Sequence, residues 1–136
     1  MTRLSAGQFG IGYLAALAAI LVLDGIWLGL VSKDLYKREM GSLLADSIRI
    51  WPVVLFYVVY PAALVYLTIH VQPQGWGEAA LRGLVLGLAA YGAYNLTNYA
   101  IVRDWPLRIS AIDWVWGSLL GAATASCAYA ATWGRD

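Results

Sequence analysis

Apolar residues come along this chain in four long runs, separated by three polar stretches of unequal length. The first runs from Ile11 to Val31, and about 20 apolar residues are enough to cross ~30 Å of hydrocarbon. It is longer than the apolar part of a signal peptide, so the pattern predicts a retained helix over about 9–31. The later runs predict helices over about 51–70, 77–102 and 110–132. Trp51-Pro52 suits the start of the second, where a missing N–H costs nothing, and Pro61 inside it frees the carbonyl of Tyr57. The expected fold is all-α: one integral membrane domain over 1–136, an antiparallel bundle of four transmembrane helices.

Ser32 to Ile50 holds most of the charge, with Leu35, Tyr36, Met40, Leu43 and Leu44 recurring at three- and four-residue spacings. That pattern predicts a short amphipathic helix in the headgroup plane, broken near Gly41; a solvated loop is the alternative. Within the long runs, Gly25/Gly29, Gly83/Gly87 and Gly117/Gly121 are small residues four apart. Such pairs let helix backbones approach closely, so the first, third and fourth helices are expected to pack through them.

Polar side chains inside the apolar runs are the candidate chemistry. At 100° per residue, Tyr91, Tyr94, Asn95 and Asn98 fall on one face of the third helix. Asp24 is the only Asp, Glu, Lys, Arg or His of the first run, and a central carboxylate there costs ~2.5–3.5 kcal/mol unless something compensates it. Asp113 follows Ser110 in a Ser-x-x-Asp pattern and reads equally as a site residue or as a helix cap. Antiparallel helices bring Asp24, Asn95, Asn98, Asp113 and Tyr57 to one side, ~5–11 Å in from the interface at ~1.5 Å per residue. The candidate cluster is therefore Asp24, Trp27, Tyr57, Tyr94, Asn95, Asn98, Asp113 and Trp116. Asp24 is expected to be buried and to face Asn95, Asn98 or Asp113.

Composition narrows the function classes. The chain is 61% hydrophobic and 12% charged, against about 25% charged in soluble domains. A net charge of +1 gives no basic surface for nucleic acid. One cysteine permits no internal disulfide, and one histidine no zinc site of the His/Cys type; no metal and no cofactor is expected. Lys33, Lys37, Arg38, Arg49, Arg103 and Arg108 lie on the cluster side, and Arg3, Arg82 and Arg135 on the other. The positive-inside rule then puts both termini on the non-cytoplasmic side.

Asp24-Gly-Ile-Trp27-Leu, Phe56-Tyr57 with Tyr60, Tyr94-Asn95-Leu-Thr-Asn98-Tyr-Ala, Asp104-Trp-Pro and Asp113-Trp-Val-Trp116-Gly together carry a resemblance. Over nearly its whole length the chain resembles a family of small predicted four-helix bacterial membrane proteins, domain of unknown function 2177. The family pattern has an Asp where this chain carries Asn95, one titratable group fewer. The resemblance implies an inner-membrane location and no particular activity. Three functions fit the residues. The leading one is a non-catalytic protein that binds a lipid, a small ligand or a partner, such as a second copy or another membrane subunit. The others are a small proton- or cation-linked transporter and a membrane-embedded lipid-modifying enzyme or its accessory. The transporter lacks ionisable groups near the opposite leaflet, and the enzyme lacks an activated nucleophile.

Overall fold

The computed structural model describes residues 1–135 and is all-helical, with an isolated antiparallel bridge between Arg3 and Val71. Helix α1 (Ala6–Ile26) continues into a π-helical turn at Trp27–Val31. Then come α2 (Lys33–Met40), a 3-10 turn (Gly41–Leu43), α3 (Ile50–Thr68), α4 (Trp76–Ile101), α5 (Leu107–Ala131) and a last 3-10 turn (Trp133–Arg135). Two stretches, Ala6–Val31 and Ile50–Thr68, are long and apolar enough to cross a membrane.

The helix ends follow local chemistry. Ser5 caps α1: its hydroxyl accepts from the Gln8 N–H at 3.2 Å, and the Gln8 amide oxygen accepts from the Ser5 N–H at 2.9 Å. That capping box starts the helix three residues before the apolar periodicity does. The segment after α1 is the amphipathic helix rather than a solvated loop. Lys33, Asp34, Lys37 and Arg38 of α2 face outward while Leu35, Tyr36 and Met40 turn inward. Gly41, at φ 50°, ends it in a conformation glycine takes without strain. α5 begins at Leu107, three residues ahead of Ser110, whose hydroxyl donates back to the Pro106 carbonyl at 2.7 Å from inside the helix. Asp113 is thus well past the first turn, and the capping reading of Ser-x-x-Asp is overturned.

α4 and α5 form the most extensive contact, α1 packs on α5 and α3, and α3 also meets α4. The glycines explain the first of these. A methyl built on Gly83 or Gly121 would overlap the carbonyl of the other, and one on Gly87 would overlap the Gly117 carbonyl. The two backbones are in direct contact there. Gly117 instead makes room for the Tyr91 ring, and Gly92 for Trp114, whose indole N–H donates to the Leu88 carbonyl at 2.9 Å.

Gly25 and Gly29 do not behave this way: nothing lies within 4 Å of a methyl built on either, so the expectation for the first helix is corrected. Its buried residues are Gly12, Ala16, Ile20 and Asp24, one every fourth position. Gly25 stands ~100° around the helix from the last of them, which turns it off the packed face. The buried stripe of α4, through Ala79, Gly83, Gly87 and Gly92, ends in the same manner on Asn95.

At the end holding the α3–α4 loop, Arg82 ties the chain together. Its guanidinium donates to the carbonyls of Thr68 and Val71, both at 2.9 Å, and pairs with Glu78 at 2.5 Å. It satisfies one of the carbonyls that the end of α3 leaves without an intrahelical partner. Leu4 N–H donates to the His70 carbonyl at 2.9 Å and the Trp133 indole to the Ile69 carbonyl at 2.8 Å, closing that end.

Gly87→Leu should lower the midpoint of thermal unfolding in detergent far more than Leu88→Ala, because Leu88 faces outward while Gly87 has no room for a side chain. Gly25→Ala should leave the midpoint unchanged or raise it, since alanine is favoured in helices by ~1 kcal/mol. Equal losses at Gly87 and Gly25 would refute the assignment of the contact face.

Candidate functional site

The buried stripes of α1 and α4 end in polar groups at the same level of the molecule, and there the helices stop filling the space between them. A partly open cavity of about 410 Å³ lies there. α1 and its π turn contribute Asp24, Trp27 and Leu28, α3 contributes Phe56, Tyr57 and Tyr60, and α4 contributes Ala90, Tyr91 and Tyr94. α5 supplies Asp113 and Trp116.

Asp24 is 7% exposed, and each of its carboxyl oxygens accepts one hydrogen bond. The Tyr57 hydroxyl donates to Oδ2 at 2.7 Å and the Trp116 indole N–H to Oδ1 at 2.9 Å. Its partners are therefore an aromatic hydroxyl from α3 and an indole from α5, not the carboxamides of α4. Of the three neighbours expected for Asp24, Asn95 and Asn98 make no hydrogen bond to it, while Asp113 lines the same cavity. Asn95 spends its amide donor on Asp113 and on the Tyr91 carbonyl instead.

Asp113 is held in the same way by different groups. Asn95, 2% exposed, donates from Nδ2 to Asp113 Oδ2 at 2.7 Å and to the Tyr91 carbonyl of its own helix at 2.9 Å. The Tyr36 hydroxyl donates to Oδ1 at 2.5 Å. Tyr36 comes from α2, so the amphipathic helix reaches into the polar cluster. Burial pushes the Tyr36 phenol well above its usual range, and the hydrogen bond and charge of Asp113 push it the same way. It stays protonated and donates throughout the physiological range.

The rings form the rest of the wall. Trp27 and Trp116 stack with centroids 4.6 Å apart and planes 6° from parallel. Phe56 stacks on Tyr60 at 5.0 Å, and Tyr60 meets Tyr91 edge-on at 6.4 Å. Tyr94 is 53% exposed and meets Trp105 edge-on at 5.7 Å at the margin. The hydroxyl of Tyr60 is buried and has no hydrogen-bond partner among the described residues.

Of the sequence candidates, Asp24, Trp27, Tyr57, Tyr94, Asp113 and Trp116 line the cavity, and Asn95 stands behind it on Asp113. Asn98 is not brought to it: its side chain makes no hydrogen bond among the described residues and does not line the cavity. Tyr36, Phe56, Tyr60 and Tyr91 complete the arrangement. Tyr36 is marked in the sequence only as part of the apolar stripe of α2. Among the described residues no group of three or more His, Cys, Asp and Glu side chains converges on a metal-sized point.

The chain is all-helical with two membrane-length apolar helices, and the family it matches is one of predicted membrane proteins, which together give the class as a helical membrane protein. A family described as predicted membrane protein, domain of unknown function 2177, matches residues 9–130, and the chain belongs to it. Neither the curated proteins nor the solved structures give a match.

The hydrogen bonds of Asp24 predict an order of stabilities. Asp24→Asn keeps an acceptor for Trp116 and a donor that Tyr57 can accept, so its unfolding midpoint should stay close to that of the parent. Asp24→Leu strands a buried indole N–H and a phenol, at ~1–3 kcal/mol each. Thermal unfolding in detergent should show the leucine variant clearly below the asparagine variant, and the reverse order would remove Tyr57 and Trp116 as partners.

Proposed function

We propose that this is a small multi-pass protein of the bacterial inner membrane, with four spans, that holds a small amphipathic ligand in its cavity without transforming it. The observation that carries the reading is the cavity itself, since all four long helices contribute to it and its walls are rings with a few convergent polar groups. That is the usual make-up of a small-molecule site, and ~300–1,000 Å³ is the usual size.

Four spans are supported by α4 and α5, of 26 and 25 residues. At ~1.5 Å per residue they are ~39 and ~37 Å long. They are less apolar than α1 and α3 because they carry Glu78, Arg82 and Arg108 as well as the glycines of their contact and the polar groups of the cavity. Their outward side chains are apolar all the same, among them Leu81, Val85, Leu96, Ile101, Leu107, Val115 and Leu119. Arg82 and the Arg3 bridge belong to the end with the α3–α4 loop, whereas Arg108 pairs with Glu39 at 3.7 Å near α2. The six basic residues of the cavity end support a cytoplasmic position for it, since basic loops favour that side.

Binding is favoured over catalysis because both carboxyls are tied at both oxygens and no Ser, Thr, Cys, His or Lys lines the cavity. Binding is favoured over transport because the far end packs Leu64, Val65, Ile69, Ala79, Ala125 and Ala128 into one cluster, and the only polar side chains buried towards that end among the described residues are uncharged Ser and Thr.

Two measurements test this. Carboxyl-terminal fusions should give active alkaline phosphatase and no cytoplasmic fluorescence; the opposite pattern overturns the orientation. Ala90→Phe places a ring in the cavity and should raise or preserve the unfolding midpoint while abolishing co-purification of any small molecule seen by native mass spectrometry. Undiminished co-purification with Ala90→Phe would show that the cavity is not where the ligand sits.

A further inference from the structure

Two carboxyl groups face one cavity and no cation stands beside either. The ion pairs among the described residues are Arg82–Glu78 and Arg108–Glu39, and none of these four residues lines the cavity. What holds Asp24 and Asp113 instead is four neutral donors: Tyr57, Trp116, Tyr36 and Asn95. Such donors supply hydrogen bonds without supplying positive charge. Taking a carboxylate out of water without a counter-charge is costly, and two in one cavity repel each other besides. Each oxygen accepts a single hydrogen bond, so each keeps a lone pair to offer.

The walls say which counter-charge fits. Small hard cations take six or more oxygen ligands at ~2.0–2.6 Å, whereas two carboxyls offer four, and among the described residues no three His, Cys, Asp or Glu side chains converge on such a point. Ring faces, by contrast, attract a diffuse organic cation through their quadrupoles, and the gain grows when water is excluded. Trp27, Trp116, Phe56, Tyr60 and Tyr91 line the cavity together with the two carboxyls, Trp27 stacked on Trp116 and Phe56 on Tyr60. The unpartnered Tyr60 hydroxyl adds an oxygen that can accept from an N–H.

We infer that the cavity takes an amphipathic organic ammonium ion, its cationic head between Asp24 and Asp113 and against the rings. The inference rests on the binding reading given above and supplies the chemistry of its ligand. The ammonium head belongs either to a soluble amine or to a lipid such as phosphatidylethanolamine; the recognition chemistry is the same.

The test uses the full chain in phosphatidylglycerol nanodiscs, titrated calorimetrically against empty discs with benzyltrimethylammonium and with neopentylbenzene, which has carbon in place of the charged nitrogen. The cation should bind at one site per chain at least ~10-fold more tightly than the neutral isostere, given ring faces in a desolvated site. The double variant Asp24→Asn, Asp113→Asn should lose that preference and bind both compounds alike. Equal binding of the two by the parent chain, cation binding untouched in the double variant, or displacement of the cation by equimolar Mg²⁺ would each overturn the inference. Should the double variant not fold, the ratio for the parent chain decides alone. If both compounds bind equally and Ala90→Phe abolishes both, the cavity is a binding site without charge selection; if neither binds, both readings fall. Repeating the titration in discs containing phosphatidylethanolamine separates the sources: a weakened apparent affinity assigns the lipid headgroup, and an unchanged one assigns a soluble amine.

Discussion

Backbone contact between α4 and α5 is the constraint on which the other positions depend. At Gly83, Gly87 and Gly121 the two helices touch without intervening side chains, which fixes both the distance between them and the rotation of each. Such a contact gains from dispersion and close approach along the two backbones. Once that rotation is set, the residues a few turns further along have no freedom over which way they face. Tyr91 lies over Gly117, Trp114 enters at Gly92, and Asn95 and Asp113 meet. The polar pair is a consequence of the glycine pair.

α1 reaches the same level by a different route, through a stripe of Gly12, Ala16, Ile20 and Asp24. A carboxyl at the end of an otherwise small and apolar stripe is an expensive residue to bury. Its two donors come from α3 and α5, so the same contacts that satisfy Asp24 also join three helices. With Tyr36 reaching Asp113 from α2, every helix has a side chain in or on the polar cluster. Cohesion at this end is polar and aromatic, whereas the far end is held by an apolar core and by Arg82 on backbone carbonyls.

The sequence makes the helices legible because apolar runs of this length have few alternatives, and it makes the amphipathic α2 legible by spacing. Gly83, Gly87, Gly117 and Gly121 are legible as a contact because they repeat every fourth position on helices that neighbour each other. Gly25 and Gly29 carry the same spacing on the wrong face. A periodicity says which residues share a side of one helix, but not which side meets a neighbour. The same limit explains the cluster: Asp24, Asn95 and Asp113 can be placed at one depth by counting residues from helix ends. That Asp24 would find an indole and a phenol, and Asn95 would turn to Asp113, depends on rotations that counting does not supply. Tyr36 is hidden for a related reason, since its reach depends on how the chain leaves α1.

That departure is made through the π-helical turn at Trp27–Val31, where the Ser32 N–H donates to the Trp27 carbonyl at 2.7 Å, five residues back. A π turn holds one residue more than the α turn it replaces, so the chain beyond it is out of phase with α1 by the ~100° that one residue spans. The docking of α2 on Asp113 is therefore written in chain length as well as in side chains. Loss of a single residue from this turn would bring the helix back into phase and carry Tyr36 around to another side. Here an insertion or deletion would take away the hydroxyl that holds Asp113 while the Tyr36 side chain itself kept its identity.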